Sequence, residues 1–147
     1  MTSFQDILNK PAADIEAPKP LPVGTYLCIV NGQPEHKQMG KNNTDCFEFN
    51  LQFLQAGQDV DQQALLETLK GKNLNERSLK HRLFVTDDSV WRLKEFLVDD
   101  LGIEQGTRGL GEMIPEAMGR QCYVTIGHRA GEDGKQIYMD IKDTAKV

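Results

Sequence analysis

Lys80, Arg82 and Phe84 occupy alternate positions of one short run, Ser-Leu-Lys-His-Arg-Leu-Phe at 78–84. On an extended chain, residues two apart share a face, so two cations and an aromatic ring point the same way. Tyr123 and Arg129 lie on one later run, and Tyr138 and Lys142 on the next, again on what reads as the outer face. Lysines of the intervening loops (Lys37, Lys41, Lys72 and Lys135) add to the positive field. A flexible single strand of nucleic acid asks two things of a protein: cations that track its phosphates, and aromatic faces that stack its bases at about 1–3 kcal/mol each. Taken singly, each of these residues is ordinary sheet surface. Their coincidence over three strands makes them a candidate binding set.

Other chemistries lack their signatures. The chain has no GxxxxGK[ST] phosphate cradle, and Gly106, Gly109 and Gly111 neither follow a strand nor match GxGxxG. His36, His81 and His128 are isolated, and Cys28, Cys46 and Cys122 are odd in number, without CxxC spacing, and set in strand-like runs. They read as buried small hydrophobes, not as disulfide or zinc ligands. The acid pairs Asp87-Asp88 and Asp99-Asp100 are the only metal candidates for phosphodiester chemistry. Neighbouring side chains on a helix point about 100° apart, so neither pair converges on one ion, and the first pair is expected to cap a helix. No cofactor, metal or catalytic residue is therefore expected.

Composition is that of one globular domain of 147 residues. The formal net charge of −5 excludes a globally basic binder, but the charge is uneven. From Lys70 to Arg82 there are five bases and one acid, a net of +4; from Thr86 to Glu104 there are two bases and six acids, a net of −4. Local field, not the total, steers a charged ligand. No apolar run reaches the ~18–20 residues of a membrane span, and no secretory leader is read at the N-terminus. The expectation is a cytoplasmic protein with no membrane partner.

The elements that must position the candidate set follow from periodicity. Residues 1–23 read as an arm, with a helical turn over Phe4-Gln-Asp-Ile-Leu capped by Ser3, then a stretch with four of the six prolines. It reads as a strap across the domain, with partner binding as the alternative. Residues 24–143 form the domain. Its first strand covers 25–30, residues 31–45 form a polar loop, and Phe47, Phe49, Leu51 and Phe53 line the core side of a second strand. An insertion at 56–77 holds a short helix capped by Asp59 or Asp61 and stopped at Gly71. The third strand covers 78–85. A helix after Asp87-Asp88 carries a stripe of Val90, Leu93, Leu97 and Leu101, widened by Trp91 and Phe96, and ends at Gly102. A half-turned helix at 113–118 leads to a closing hairpin at 119–143. There Ile126 is expected opposite Met139 and Val124 opposite Ile141, with Gly127 lying under Tyr138. Residues 144–147 are expected to fray.

This order predicts a mainly β domain with one main helix: a five-stranded, OB-fold-like Greek-key barrel, the helix lying between strands three and four. Four stretches carry a resemblance: Leu21-Pro-Val-Gly-Thr-Tyr, Phe-Glu-Phe-Asn-Leu-Gln-Phe at 47–53, Trp91-Arg-Leu-Lys-Glu-Phe-Leu, and Met118-Gly-Arg-Gln-Cys-Tyr-Val. Together they resemble the OB-fold single-stranded DNA-binding proteins that bacteriophages and prophages carry in replication and recombination modules. The resemblance covers most of residues 21–143. It implies non-enzymatic, sequence-tolerant binding of single-stranded DNA and protection of replication and recombination intermediates, in the host cytoplasm if phage-encoded. Many such proteins end in an acidic tail that recruits partners, whereas this chain ends Lys142-Asp-Thr-Ala-Lys-Val. Replication or recombination proteins would then be met by the N-terminal arm. Exposed edge strands leave room for a homodimer, and DNA against RNA stays open. The rival readings are an adaptor that binds protein through the same face and arm, and a metal-dependent nuclease accessory using the paired acids.

Overall fold

The computed structural model describes residues 3–14, 19–132, 134 and 136–147. Six strands form one antiparallel sheet: β1 (Gly24–Val30), β2 (Glu35–Met39), β3 (Thr44–Ala56), β4 (Ser78–Phe84), β5 (Gln121–Ala130) and β6 (Ile137–Lys146). β3 is the hub. One of its edges pairs β4 over residues 46–52, while the other pairs β2 over 44–48 and β1 over 51–56. β1 then pairs β5, and β5 pairs β6. The sheet does not close: among the described residues no ladder joins β4 to β6.

Alternation decides what goes inside. Tyr26, Cys28 and Val30 of β1, Phe49, Leu51 and Phe53 of β3, and Cys122, Val124 and Ile126 of β5 are buried on one face. Against them packs helix α3 (Val90–Glu95), which runs into a π-helical turn over Phe96–Asp100 and contributes Leu93, Phe96, Leu97 and Leu101. Edge-on aromatic pairs pack the core, Tyr26 with Phe53 within the sheet at 5.1 Å between centroids and Phe49 with Phe96 between sheet and helix at 5.0 Å, a geometry that the ring quadrupole favours. The phenylalanines of β3 therefore serve the core; Phe47 alone of them is half-buried.

The smaller elements seal the ends. Helix α1 (Phe4–Leu8) has a Ser3–Asp6 capping box and buries no residue. Helix α2 (Gln62–Leu69) is capped by Asp61 and stopped by Lys70 in the left-handed region ahead of Gly71. Helix α4 (Leu110–Met113) continues as a 3-10 turn over Ile114–Ala117. The N-terminal strap is present over 19–22. Arg77 donates to the Lys19 carbonyl (2.9 Å), His128 Nε2 to that of Leu21 (2.6 Å) and the Tyr26 hydroxyl to that of Pro22 (2.7 Å). Leu21 itself is fully buried. Gly57 is required where the insertion leaves β3: a Cβ there would stand 2.6 Å from the Thr25 carbonyl oxygen, to which Gly57 donates its own N–H.

Five expectations need correction. The predicted loop at 31–45 contains a sixth strand, β2. Its exposed Glu-His-Lys-Gln sequence carries no apolar alternation, and edge pairing with β3 alone makes it a strand. In the closing hairpin the register is Ile126 opposite Ile141 and His128 opposite Met139, with Lys142 as the bulged extra residue between paired positions. Gly127 thus faces Asp140 and is covered by the Lys142 stem, not by Tyr138. Residues 144–146 do not fray, because β6 runs to Lys146 along β5. Neither Asp87 nor Asp88 caps α3: its N-cap is Ser89, whose N–H is taken by the Thr86 hydroxyl. Trp91 does not widen the buried stripe; it is 53% exposed.

Candidate nucleic-acid interface

Directly opposed residues of an antiparallel ladder share a face. The registers of β2, β3 and β4 therefore set out rows on the outer side of the sheet. One row is Lys37, Cys46 and Phe84; the next is Glu35, Glu48 and Arg82; the third is Asn50 and Lys80. Lys37, Lys80 and Arg82 are thus brought together from two strands, beside Phe84, which is 41% exposed. Lys41 lies exposed in the turn between β2 and β3, and Lys72 in the loop ahead of β4.

The middle of this face is organised by a residue whose role the sequence reading missed. Glu48 is 4% exposed although it points outward, roofed by the stems of its cationic neighbours. Lys37 Nζ lies 2.9 Å from Oε1, Arg82 Nε 2.7 Å from Oε2 and Lys80 Nζ 3.9 Å from Oε1. The hydrogen bonds from Lys37 and then Arg82 hold the Glu48 carboxyl below the usual carboxylate range, and the same contact raises Lys37. A buried carboxylate persists only with such partners. Arg82 meets Glu48 through Nε, a side-on contact made without the two Nη groups. Beneath the same face, Asn50 Oδ1 is buried without a hydrogen-bond partner.

The hairpin residues divide. Arg129 faces Tyr138 across β5 and β6, its guanidinium 5.4 Å from the ring centroid, and its Nε lies 3.1 Å from Asp140. Lys142 is 3.9 Å from the same carboxylate. Arg129 nevertheless lines a groove of about 460 Å³ with Lys80 and Arg82 across the unpaired seam. The structure therefore joins Arg129 to the β4 set. Tyr123 is not joined to it. That ring sits opposite Leu27 and borders a separate small groove with Gln55 and Gln58. Lys135 lies outside the described residues.

Along the seam, a second groove of about 290 Å³ runs between α3 and β6 and shares His81 and Ile141 with the first. His81 stacks edge-on against Phe96 at 4.9 Å, and burial pulls its pKa down to about 4, so it is neutral. The acid pairs do not converge. Asp100 is turned inward by the π-helical turn and accepts the Thr144 hydroxyl, burial raising its pKa, while Asp99 is exposed. Among the described residues no three His, Cys, Asp or Glu side chains are grouped to hold a metal ion, and no helix is long and apolar enough to cross a membrane.

No protein-family model matches the chain, and no curated protein sequence does.

Proposed function

We propose that this chain is a non-enzymatic protein that binds single-stranded DNA largely irrespective of sequence, on the outer face of β2, β3 and β4. One observation carries the reading: Lys37, Lys80 and Arg82 converge around one buried carboxylate, beside the half-exposed ring of Phe84. Three cations against Glu48 and Glu35, the latter 3.5 Å from Lys37, leave the cluster net positive by one, and the neighbouring ring supplies a stacking surface. The element order supports an OB-fold derivative opened along β4 and β6. β1 and β2 lie in succession along one edge of β3, so they count as one interrupted strand, and the main helix lies between β4 and β5. With the phage-type resemblance of residues 21–143, this favours a role in protecting single strands during replication or recombination.

The test is fluorescence anisotropy of labelled oligothymidine, a matched duplex and an RNA, over a salt series without metal. Tightest binding to single-stranded DNA, with log affinity falling linearly in log salt, is the expected result. Equal binding of the RNA moves the assignment to single strands in general. No binding of any ligand at low salt removes it.

A second reading, an adaptor for other proteins, is favoured by α1 alone, whose Phe4, Ile7 and Leu8 are 74, 50 and 61% exposed. Partner capture that depends on α1, without salt-sensitive DNA binding, would decide for it.

A further inference from the structure

We propose that Trp91 is a base-stacking platform at the helical end of the seam between β4 and β6, taking one unpaired base of the strand held on the basic face. This rests on the single-strand reading above and adds a path to it. Trp91 is the only tryptophan of the chain, and half of it is exposed on the first turn of α3. Tryptophan, with an apolar body and a polar tip, is enriched at interfaces, and aromatic faces stack unpaired bases. The ring is held in place: its Nε1–H donates to the Asp88 carbonyl at 3.0 Å, and the Arg92 guanidinium lies 5.2 Å from its centroid.

The groove that Trp91 borders has the right scale and charge for a base. Its volume of about 290 Å³ lies at the lower end of small-molecule sites, which begin near roughly 300 Å³. Its walls carry Arg92 and Lys142 but also the three carboxyl groups of Glu95, Asp100 and Asp143. That mixture does not favour a phosphate, whereas a flat, uncharged heterocycle meets no repulsion. Because this groove shares His81 and Ile141 with the one bordered by Lys80, Arg82 and Arg129, a strand can leave its phosphates on the basic side and turn a base onto the indole.

The single tryptophan makes the test direct. The full chain is titrated with unlabelled oligothymidine while tryptophan emission is read, in parallel with anisotropy of the labelled strand. The expected result is quenching with the same midpoint as the anisotropy curve. Trp91→Ala should weaken binding about 5- to 150-fold with an unchanged salt slope, and Trp91→Phe should restore most of it. Circular dichroism of both variants checks that they are folded. If anisotropy rises while emission stays constant and Trp91→Ala binds as the parent does, the stacking platform is overturned and the basic face stands. If anisotropy does not rise at all, the single-strand reading itself has failed.

Discussion

Glu48 and Arg82 face one another across β3 and β4, and Arg82 Nε donates to the buried Glu48 carboxylate at 2.7 Å. The pair, with Lys37 on the other side, makes the centre of the outer face an ion cluster instead of loose surface charge. Lys37 and Arg82 lower the pKa of Glu48 from the ordinary 4.5. The unfolded chain then binds the proton first, so the stabilisation is present above pH 4.5 and is lost as pH falls through the folded value. Glu48→Gln should remove this acid-limb loss and cost about 1–2 kcal/mol at neutral pH, because the cations it holds are half in water. Urea denaturation at about pH 7 and about pH 3.5 reads both effects.

The phosphate contacts and the stacking contacts are separable. Each phosphate paired on a single strand contributes about 0.7 to the slope of log affinity against log salt. Lys80→Ala with Arg82→Ala should therefore flatten that slope by about 1.4. Phe84→Ala should weaken binding by roughly 1–3 kcal/mol and leave the slope alone. Anisotropy over a salt series distinguishes the two patterns. A Phe84 variant that changes the slope, or a double variant that does not, would contradict the assignment of roles.

His81 gives stability a second, higher pH window. Its pKa falls from 6.5 to about 4 because burial disfavours the cation. The unfolded chain takes up this proton first, so stability is full above pH 6.5 and declines as pH falls towards 4. The expected decline is up to about 3 kcal/mol. His81→Leu should flatten denaturation midpoints between about pH 7 and about pH 4.5, a range above that of Glu48.

Cys28 and Cys122 oppose one another in the β1–β5 ladder, fully buried. Burial pushes both thiols up to about 12, so almost no thiolate is present at neutral pH. An aromatic disulfide reagent at about pH 8 should modify them at least about a hundredfold more slowly in the native protein than in denaturant. Fast native labelling of either would show that the β1–β5 core opens locally.

Much of the core is legible in the sequence. The two-residue period of Phe47 to Phe53 sends Phe49, Leu51 and Phe53 into the core, and the 3.6-residue period of Leu93, Leu97 and Leu101 does the same for the helix. The cap at Asp61 follows from local chemistry. Most of the misreadings turn on pairing or packing, while the cap at Ser89 in place of Asp87 or Asp88 is a local matter. β2 is a strand only because β3 offers it an edge. The hairpin register already lies two positions from the expected one at the Ile126–Ile141 pair, and the bulged Lys142 shifts every pair beyond it by one more. Trp91 fits a helical stripe by spacing, yet the helix rotates it past the edge of the core.

For the candidate site the division is similar. Sequence by itself determined which residues bear charge and rings, and, through alternation, that Lys80, Arg82 and Phe84 share a face, because backbone geometry imposes a two-residue period on any strand. Only the tertiary structure decided which strands lie side by side. It brought Lys37 next to Arg82 through the register of β3, buried Glu48 between them, sent Tyr123 to another part of the surface, and left the seam between β4 and β6 unpaired. Pairing across a sheet is set by contacts between residues far apart in the chain, and no local pattern encodes them.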